Sequence, residues 1–356
     1  MTSYKEALHK VLKVSKKYKK KEIIKNLKNE TLSENIYAKK DNPSFNNSLL
    51  DGFVFKSSDT KKNSHFKLNG ELAVGQNKKI KYTKDTCYRV STGGKIIPPY
   101  DCMLPYEQVE IVDGLVEIPK KVRKFNNVRL KGSDFKKGDL LIKKNQKITP
   151  AKKLLIKSSG NESVPVYEIP NVILFCSGDE ISDKIVFSDK VVNSIPEYIS
   201  CYKELYNFNF KYFGVVKDNK NSINKIFSKI KNLNNSIIIS TGGVSAGHKD
   251  YFPKFLRQKK YKILFHRIGM QPGRPTLFAT KNNNYYFGLP GNPISSIVGF
   301  HFLIVPKILS MQNLKMKFKS LKISHNYKKK PNLTELRRGF ITKSGIKIIP
   351  DQESYK

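Results

Sequence analysis

The sequence predicts a multi-domain α/β and β protein whose main unit is a doubly wound, mostly parallel α/β sheet domain at residues 169–310. Strand and helix patterns alternate after Pro170, and two apolar runs in this region lead through glycine loops into helices. Residues 45–131 differ, because short β runs there are separated by Gly, Asn and Pro turns. We expect this β-rich domain to be inserted in a helical linker domain, 1–44 with 132–168, and a partial β domain to occupy 311–356.

The α/β unit is predicted from apolar runs that are too short for helices and from longer segments with helical spacing between them. Such alternation favours a parallel sheet with helices on both faces. The predicted strands are Val172–Phe175, Tyr212–Val216, Ile237–Ser240, Lys262–Phe265 and Tyr285–Gly288. The predicted helices are Pro196–Tyr206, Ser222–Leu233, Tyr251–Arg257 and Ile294–Leu309.

The stretch Ser236–Asp250, SIIISTGGVSAGHKD, is the centre of this prediction. A buried strand runs into five residues of Gly, Ser and Thr before the next helix. Gly242 and Gly243 lack Cβ atoms, so their backbone N–H groups can approach an anion closely, and a helix N-terminus adds partial positive charge. The alternative is a tight strand-to-helix turn that binds no ligand.

The stretch Tyr285–Ser296, YYFGLPGNPISS, repeats the same order of strand, loop and helix. Asn292 has the character of an N-cap residue, and Pro293 suits the first helical position. Two such loops in one α/β unit predict a single pocket at the carboxyl edge of the sheet.

Three carboxylates follow predicted strands or loops of this unit: Glu180, Asp218 and Asp250. Mg²⁺ prefers oxygen ligands and bridges phosphates, so carboxylates beside anion-binding loops predict a magnesium site. The alternative, that each residue only caps a helix, is easier to accept for one of them than for all three together.

Other polar residues lie at predicted turns of the N-terminal half. Asp51 precedes Gly52, Thr92 lies in RVSTGG, and Asp134 follows Gly132; an Asp-Gly pair alone is equally consistent with a simple turn. Helix starts are predicted at Ser3, where Glu6 completes a capping box, and at Thr149 before Pro150.

Composition limits the function classes. The formal charge of +38 suggests a polyanion partner, but the lysines accompany abundant Asn and Ile without an aromatic-interleaved basic module, so we expect no specific nucleic-acid binding. Four widely spaced cysteines predict free thiols rather than disulfides or a zinc site. No apolar run is expected to reach the length of a membrane span, and no signal peptide is expected. These features predict a cytoplasmic protein.

Several ordered motifs resemble the molybdopterin molybdenumtransferase family, which includes bacterial MoeA and the C-terminal domain of gephyrin. FNNSLLDGF resembles the family's FDNSAMDGY, and RLKGSDFKKGD its RGED-x-x-x-GD segment. The remaining matches, in family order, are RVSTGG, SGDEI, STGGVSAGHKDY, FHRIGMQPGRP and FGLPGNPISS. An ordered set of this kind is far more specific than one glycine loop.

The resemblance implies insertion of molybdate into adenylylated molybdopterin with release of AMP, by a Mg²⁺-dependent homodimer with shared active sites. It implies catalytic roles for Asp51, Asp134, Glu180, Asp218 and Asp250, the last three as metal ligands. Arg267 and Arg274 match oxyanion-binding positions. Asp51, Thr92 and Asp134 would approach from the β-rich domain of the partner subunit. The other implied substrate-binding residues are Ser177, Gly178, Asp179, Thr241, Gly242, Gly243, Ser245, Gly247, Pro272, Gly273, Pro290, Gly291, Asn292, Pro293 and Ser295.

The sequence departs from the family pattern at three places. Asn46 replaces an Asp, Gln271 stands where Lys or Arg is common, and Asn193–Ile195 replaces a D-S-N sequence. The family's C-terminal β domain would continue past Lys356, so a truncated domain is expected there. Molybdopterin-synthesis proteins and apo-molybdoenzymes are possible partners.

Two other functions stay open at this point. A molybdopterin adenylyltransferase would use the same α/β unit, but it needs no β-rich insertion. A non-catalytic scaffold or polyanion-binding protein would not need the five carboxylates, which would weaken polyanion binding.

Overall fold

The computed structural model describes residues 1–73, 75, 80–118, 121–185, 189–217, 219–230, 233–243 and 251–350. Four predicted site residues, Asp218, Ser245, Gly247 and Asp250, lie outside the described residues.

A six-stranded sheet forms the centre of the α/β unit. Its strands are β1 (Asn171–Ser177), β2 (Asn209–Val216), β3 (Ser236–Thr241), β4 (Lys262–His266), β5 (Leu277–Lys281) and β6 (Asn284–Leu289). They lie in the order β2-β1-β3-β6-β5-β4. Strands β2, β1, β3 and β6 are parallel, and all six residues of β3 are buried. The α/β prediction is therefore confirmed.

Two antiparallel strands at one edge make the sheet mixed. β5 pairs antiparallel with β6 and with β4. Asn282, between β5 and β6, has a φ of 53°, a conformation that Asn tolerates well. The prediction missed β5, although two β runs around an Asn-rich turn are a hairpin signal.

Helices cover both faces of the sheet. Numbered along the chain, the helices are α1 (Tyr4–Lys13), α2 (Pro150–Ser158), α3 (Ile195–Cys201), α4 (Lys203–Tyr206), α5 (Lys220–Lys229), α6 (Tyr251–Gln258), α7 (Pro293–Gly299) and α8 (Val305–Met311). Helices α5 and α6 share one apolar core with the sheet. Helices α1, α3, α7 and α8 share the other core. This two-sided arrangement leaves the carboxyl edge of the parallel strands open for loops.

One helical run corrects the expectation about apolar length. α7, a π-helical turn at Phe300–Ile304, and α8 form a continuous 19-residue helix, Pro293–Met311. It is the one helix among the described residues that is long and apolar enough to cross a membrane. Phe300, Ile304 and Ile308 are fully buried within the protein, which is what a core helix of an α/β domain requires.

Helix α1 also differs from the predicted domain grouping. Ser3 caps it by accepting a hydrogen bond from the backbone N–H of Glu6, as predicted. However, the helix packs in the core of the α/β unit, where Ala7 and Val11 are fully buried. Its spacing predicted an apolar face but not the partner of that face.

Residues 19–44 and 132–168 form a separate small core. Lys19–Ile23 pairs with Ser163–Tyr167, and Ile36–Tyr37 pairs with Leu140–Ile142. Helix α2 contributes Ile156 to the same core, and Thr149 caps it as predicted.

The β-rich unit contains a six-stranded sheet with apolar clusters on both faces. In spatial order its strands are Cys102–Pro105, Gly52–Phe55, Thr86–Val90, His65–Leu72, Leu115–Glu117 and Glu110–Val112. The short β runs predicted for this region are confirmed, but sequence periodicity did not predict how the six strands pair. Cys87, Cys102 and Cys176 are buried and Cys201 is exposed, and all four carry free thiols, as predicted.

A three-stranded parallel sheet connects distant parts of the chain. Thr2–Ser3 and Thr334–Glu335 pair with opposite sides of Ile268–Gln271. A hairpin of Gly339–Thr342 and Gly345–Ile348 follows. The predicted C-terminal β pattern therefore begins against the α/β unit.

Lys307 in α8 is buried between α1 and the sheet. Its side-chain nitrogen lies 3.3 Å from the ring centroid of Tyr285 and donates a 3.3 Å hydrogen bond to the carbonyl of Val11. Burial lowers the pKa of Lys307 to about 6. The folded chain therefore binds fewer protons here than the unfolded chain at pH values between about 6 and 10.

We expect the free energy of unfolding to rise with pH across this window because of Lys307, by roughly 1 kcal/mol per pH unit. Urea unfolding of Lys307→Met between pH 6 and 9 should show a correspondingly smaller slope than the wild type. Lys5→Met, at an exposed position of α1, is the control and should keep the wild-type slope. Equal slopes for Lys307→Met and the wild type would contradict the buried-lysine interpretation.

Candidate active site

Three loops meet at the carboxyl edge of the parallel strands. They follow β1 at Ser177, β3 at Thr241 and β6 at Leu289. The backbone N–H of Gly242 donates a 3.0 Å hydrogen bond to the carbonyl of Leu289. The structure thus brings together the SGDE, STGG and GLPGNP motifs, as the sequence predicted.

Gly242 is the point at which these loops touch. Its φ is 85°, and an added Cβ would overlap the backbone carbonyl oxygen of Ser177. On its other side, a Cβ at Gly291 would lie 3.7 Å from the Cα of Gly242. Only glycine combines this conformation with such close backbone contacts. Gly243 also has a left-handed φ, 66°.

The loop after β6 is shaped by its own side chains. Asn292 caps α7 by accepting from the backbone N–H of Ser295 at 3.2 Å, and Pro293 is the first helical residue. The Ser296 hydroxyl donates to the carbonyl of Pro290. These contacts orient Pro290 and Gly291 toward the neighbouring loops, as the sequence predicted for a capped helix start.

Glu180 is the described member of the predicted metal trio. Its exposed carboxylate folds back over Gly178, where a Cβ would lie 2.5 Å from a carboxylate oxygen, so the missing side chain leaves the space for it. Carboxylate oxygen at a loop edge suits Mg²⁺, so this donor fits the predicted ion. No group of three or more acidic, His or Cys side chains that could hold a metal occurs within the described ranges, and Asp218 and Asp250 lie outside them.

A polar network joins Cys176, near the end of β1, through Asn193 to Tyr212 in β2. The Tyr212 hydroxyl donates to Asp183 at 2.7 Å, and the Asn193 amide donates to the same carboxylate oxygen at 3.0 Å. The Cys176 thiol donates to Asn193 Oδ1 at 3.6 Å. Burial raises the pKa of Cys176 and, together with the Asp183 hydrogen bond, that of Tyr212. Asn193, at one of the three sequence departures, is therefore held by hydrogen bonds to Cys176, Asp183 and Tyr212.

A cavity of about 420 Å³ opens beside the GLPGNP loop. Asn292 and Ser295 lie on one side of it, and Gln271 and Pro272 on another. Its remaining polar lining comes from the C-terminal segment, through Arg337 and Arg338. The cavity therefore combines a helix N-terminus with two guanidinium groups, which are donors that suit an oxyanion.

Strand pairing explains how the two arginines reach this cavity. Gln271 pairs with Glu335, and the backbone N–H of Leu336 donates to the Gln271 carbonyl at 2.8 Å. Hydrogen bonds from the Tyr327 hydroxyl and the Lys330 backbone, and then the charge of Arg337, hold the pKa of Glu335 below its usual range. Arg337 forms a 3.5 Å ion pair with Glu335, and both arginines line the cavity beside Gln271.

The predicted oxyanion residues Arg267 and Arg274 lie elsewhere on the same segment. Both side chains are exposed, and their backbones bridge a tight turn, with the Ile268 N–H donating to the Arg274 carbonyl. Neither lines the 420 Å³ cavity. Gly273, between them and the cavity, has a φ of 106° and is buried.

The carboxylates of the β-rich side are also ordered. Asp51 accepts hydrogen bonds from the backbone N–H and the hydroxyl of Thr92, at 2.6 and 3.1 Å. Asp134 forms an ion pair with Arg129 and accepts from Asn42 at 2.8 Å. All three predicted residues, Asp51, Thr92 and Asp134, are exposed. They form an open wall rather than a closed pocket.

Asn46 keeps one role that an Asp would have at this position. Its Oδ1 accepts a 2.8 Å hydrogen bond from the backbone N–H of Lys131. An amide oxygen can replace a carboxylate oxygen in this contact, so the departure removes charge without removing the loop contact.

The sequence analysis missed Asp183, Tyr212, Arg337 and Arg338. Composition could have identified the arginines as candidate site residues, because only eight arginines occur in this lysine-rich chain. Six of the eight lie in the motifs or line the cavity. A guanidinium group can bind an oxyanion through two parallel hydrogen bonds, which lysine cannot do, so arginines in a lysine-rich chain are candidates for such binding.

Comparisons with known proteins agree with this geometry. Residues 2–160 match the family model described as the MoeA N-terminal region, domains I and II, and residues 173–310 match a probable molybdopterin binding domain. A structure titled as a molybdopterin biosynthesis MoeA protein from Pyrococcus horikoshii has a TM-score of 0.75 and 25% identity, covering 88% of this chain and 80% of that one. A second structure from the same organism, at 21% identity, shares the fold over 99% of this chain and 91% of its own, with a TM-score of 0.74.

Curated relatives extend the match. A Haemophilus influenzae protein named molybdopterin molybdenumtransferase is 28% identical over 88% of this chain and 78% of its own length. A Staphylococcus aureus protein of the same name is 30% identical over 80% of this chain and 69% of its own length. With this identity across more than two thirds of that relative, and with both family models matched in order, the chain belongs to the molybdopterin molybdenumtransferase family.

Proposed function

We propose that this protein inserts molybdate into adenylylated molybdopterin and releases AMP, as a step of molybdenum cofactor biosynthesis. The observation that carries this proposal is the junction of three glycine loops at Gly242 beside a cavity with two arginines. The loops suit a phosphorylated substrate, and the cavity suits a compact oxyanion. The relatives' names specify the reaction class that needs both.

The site residues have different proposed roles, according to their chemistry. The Gly242 N–H is bonded to the Leu289 carbonyl and fixes the loop, so the backbone N–H of Gly243 would bind substrate phosphate without adding a competing side chain. Arg337 and Arg338, with the N-terminus of α7, would hold dinegative molybdate in the cavity. Holding both substrates at neighbouring sites reduces the entropic cost of their encounter.

Mg²⁺ is the proposed cofactor, with Glu180, Asp218 and Asp250 as its oxygen ligands. When bound, the ion would neutralise phosphate charge that develops as AMP leaves. The exposed carboxylate of Glu180 beside the loops supports its part in this set.

A homodimer with shared active sites is proposed because the predicted site residues lie on units that have separate hydrophobic cores. The core around Phe53 and Val54 is separate from the two cores around the α/β sheet. Asp51 and Thr92 present polar groups on the surface of the first unit, and Asp134 does so on the adjoining unit of residues 19–44 and 132–168. A two-fold partner could place that wall over the glycine loops.

Two further expectations complete the proposal. Free thiols and a buried apolar helix favour a cytoplasmic location. Molybdopterin-synthesis proteins and apo-molybdoenzymes remain the proposed protein partners, without specific nucleic-acid binding or membrane attachment.

The deciding experiment measures AMP release from adenylylated molybdopterin with and without molybdate and Mg²⁺. Release that requires both additions is expected. A molybdopterin adenylyltransferase would instead form adenylylated molybdopterin from molybdopterin and ATP, and a scaffold would do neither.

Glu180→Gln should fold normally and lose at least about tenfold in Mg²⁺-dependent AMP release, because the swap removes a metal-attracting charge but keeps volume. Asp218→Asn and Asp250→Asn should behave alike. Asp113→Asn, in the turn between two strands of the β-rich sheet, is the matched control and should keep wild-type turnover. Wild-type rates in all three site variants would exclude the metal role.

Gly242→Ala should lower both stability and turnover, because its Cβ would overlap the Ser177 carbonyl and force the loops apart. Thermal unfolding and AMP release would measure the two effects. Gly114→Ala has a similar φ of 77° but open space around the new Cβ, so it should cost only about 1 kcal/mol and leave turnover unchanged. If the two variants are equally stable and active, the loop junction is not needed.

Mixing Asp51→Ala and Glu180→Gln subunits should restore activity if each site combines Asp51 of one subunit with Glu180 of the other. After complete exchange at equal amounts, half of the dimers contain one intact site of two, so about a quarter of wild-type activity is expected. Subunit exchange must be verified by differential labelling. A fully exchanged mixture as inactive as its parents would rule out shared sites.

A further inference from the structure

The start of helix α1 contacts residues that line the arginine-lined cavity. Thr2–Ser3 pairs in parallel with the strand Ile268–Gln271, whose last residue lines the cavity. The Tyr4 hydroxyl donates a 3.1 Å hydrogen bond to the carbonyl of Phe302, which also lines the cavity. The rings of Tyr4 and Phe302 meet edge to face, with their centroids 6.4 Å apart. This side of the cavity wall therefore depends on the position of α1.

The end of α1 is held by polar groups that lie beneath it. Lys307 of α8 donates to the carbonyl of Val11, and the Tyr285 hydroxyl of β6 donates to the carbonyl of Val14 at 3.1 Å. The last carbonyls of a helix have no backbone partner within the helix, so these two donors satisfy them. Both ends of α1 thus depend on contacts with the α/β unit.

Lys307 carries an amine in surroundings that suit its neutral form. Its side chain is fully buried, and the face of the Tyr285 ring lies against its nitrogen. Among the described residues it forms no ion pair, and the Val11 carbonyl is its one hydrogen-bond acceptor. An ammonium group has three N–H donors, so a charged Lys307 would leave donors unsatisfied in an apolar core.

The elements packed against α8 bring no opposite charge to this amine. Glu6 of α1 pairs with Lys10 at 2.8 Å on an exposed side of the helix. His301 Nε2 lies 2.7 Å from the Tyr198 hydroxyl of α3. The other ionisable side chains of α1 and α4 are either exposed or are phenols whose pKa is raised by burial: Lys5, His9, Lys13, Lys203 and Glu204 are exposed, and Tyr4 and Tyr206, like Tyr285 of β6, are phenols.

Proton uptake by Lys307 would accompany a movement of α1 away from the amine. A lysine in water has a pKa of about 10.4, whereas burial lowers the pKa of Lys307 to about 6. Between these pH values the open form binds a proton that the docked form does not, so opening becomes more favourable as pH falls. The opening constant should rise about 50-fold from pH 8 to pH 6, and it should level off at lower pH because both forms are then protonated.

We propose that Thr2–Lys13, the N-terminal latch, opens from the α/β core as a unit, that Lys307 takes up a proton as it opens, and that opening disrupts the arginine-lined cavity. The inference rests on the proposed function for the nature of the cavity's ligand, an oxyanion such as molybdate. An oxyanion that binds only when the latch is docked holds it closed, and docking favours oxyanion binding to the same extent. Acid therefore opposes oxyanion binding through the latch.

Hydrogen exchange of the full chain, read by mass spectrometry, measures the opening of the latch. The backbone amides of α1 are compared with those of β3, the fully buried strand of the sheet. Amides of α1 should be less protected than those of β3, because the latch opens without unfolding of the sheet. At pH 7.5, molybdate at about 100 times its Kd should raise the protection of α1 about 100-fold, since the open form cannot bind it.

Two variants isolate the proton on Lys307. In the wild type without molybdate, the protection of α1, corrected for intrinsic exchange, should fall about 50-fold from pH 8 to pH 6. Lys307→Met removes the amine, and Lys307→Gln keeps an N–H donor for the Val11 carbonyl but does not titrate. Both variants should change by less than about 3-fold over this range. Lys5→Met, at an exposed position of α1, is the control and should keep the wild-type fall.

The outcomes separate this inference from the proposed function. Equal protection of α1 and β3, no effect of saturating molybdate on α1, or a wild-type pH dependence in both Lys307 variants would each overturn the latch. Molybdate-dependent AMP release would leave the proposed function standing in those cases. Protection of α1 by molybdate without AMP release would keep the latch and overturn the reaction. A wild type that neither binds molybdate nor releases AMP would overturn both.

Discussion

Close backbone contact at Gly242 is the constraint on which the rest of the site depends. The loops after β1, β3 and β6 can meet only because no side chain separates the Ser177 carbonyl from the Gly242 backbone. Parallel strand pairing brings the three loops to the same edge, and the glycine lets them approach closely. A substrate phosphate would then meet backbone donors whose positions are set by the sheet rather than by flexible side chains.

A second constraint ties the ends of the chain to this site. Ile268–Gln271 pairs on one side with Thr2–Ser3 and on the other with Thr334–Glu335, so both distant segments reach the strand that leads into the cavity. Helix α1 then covers the apolar face of α8, and Lys307 satisfies the carbonyl of Val11 at its end. Strand pairing near the cavity and helix packing behind it therefore stabilise the same region, and the arginines depend on that pairing for their position.

The net charge of the protein and the charged groups at the site predict different kinds of binding. The net charge of +38 comes mostly from lysines and predicts non-specific, salt-sensitive attraction to polyanions. The site uses other groups: two arginines at the cavity, backbone N–H groups in the loops and a few fixed carboxylates. Specific recognition comes from these fixed geometries, because a flexible surface lysine loses side-chain entropy on binding and offers a point charge without direction.

The sequence by itself determined the features that depend on neighbouring residues. The helix starts at Ser3, Thr149 and Asn292, the glycine loops and the parallel strands all follow from contacts within a few positions or from periodicity. Only the tertiary structure decided which part of the protein packs against α1 and that β5 and β4 run antiparallel. It also decided that Arg337 and Arg338 reach the cavity and that Asn193 holds Asp183. Those contacts join residues far apart in the chain, and their free energy comes from packing and pairing that no local pattern encodes.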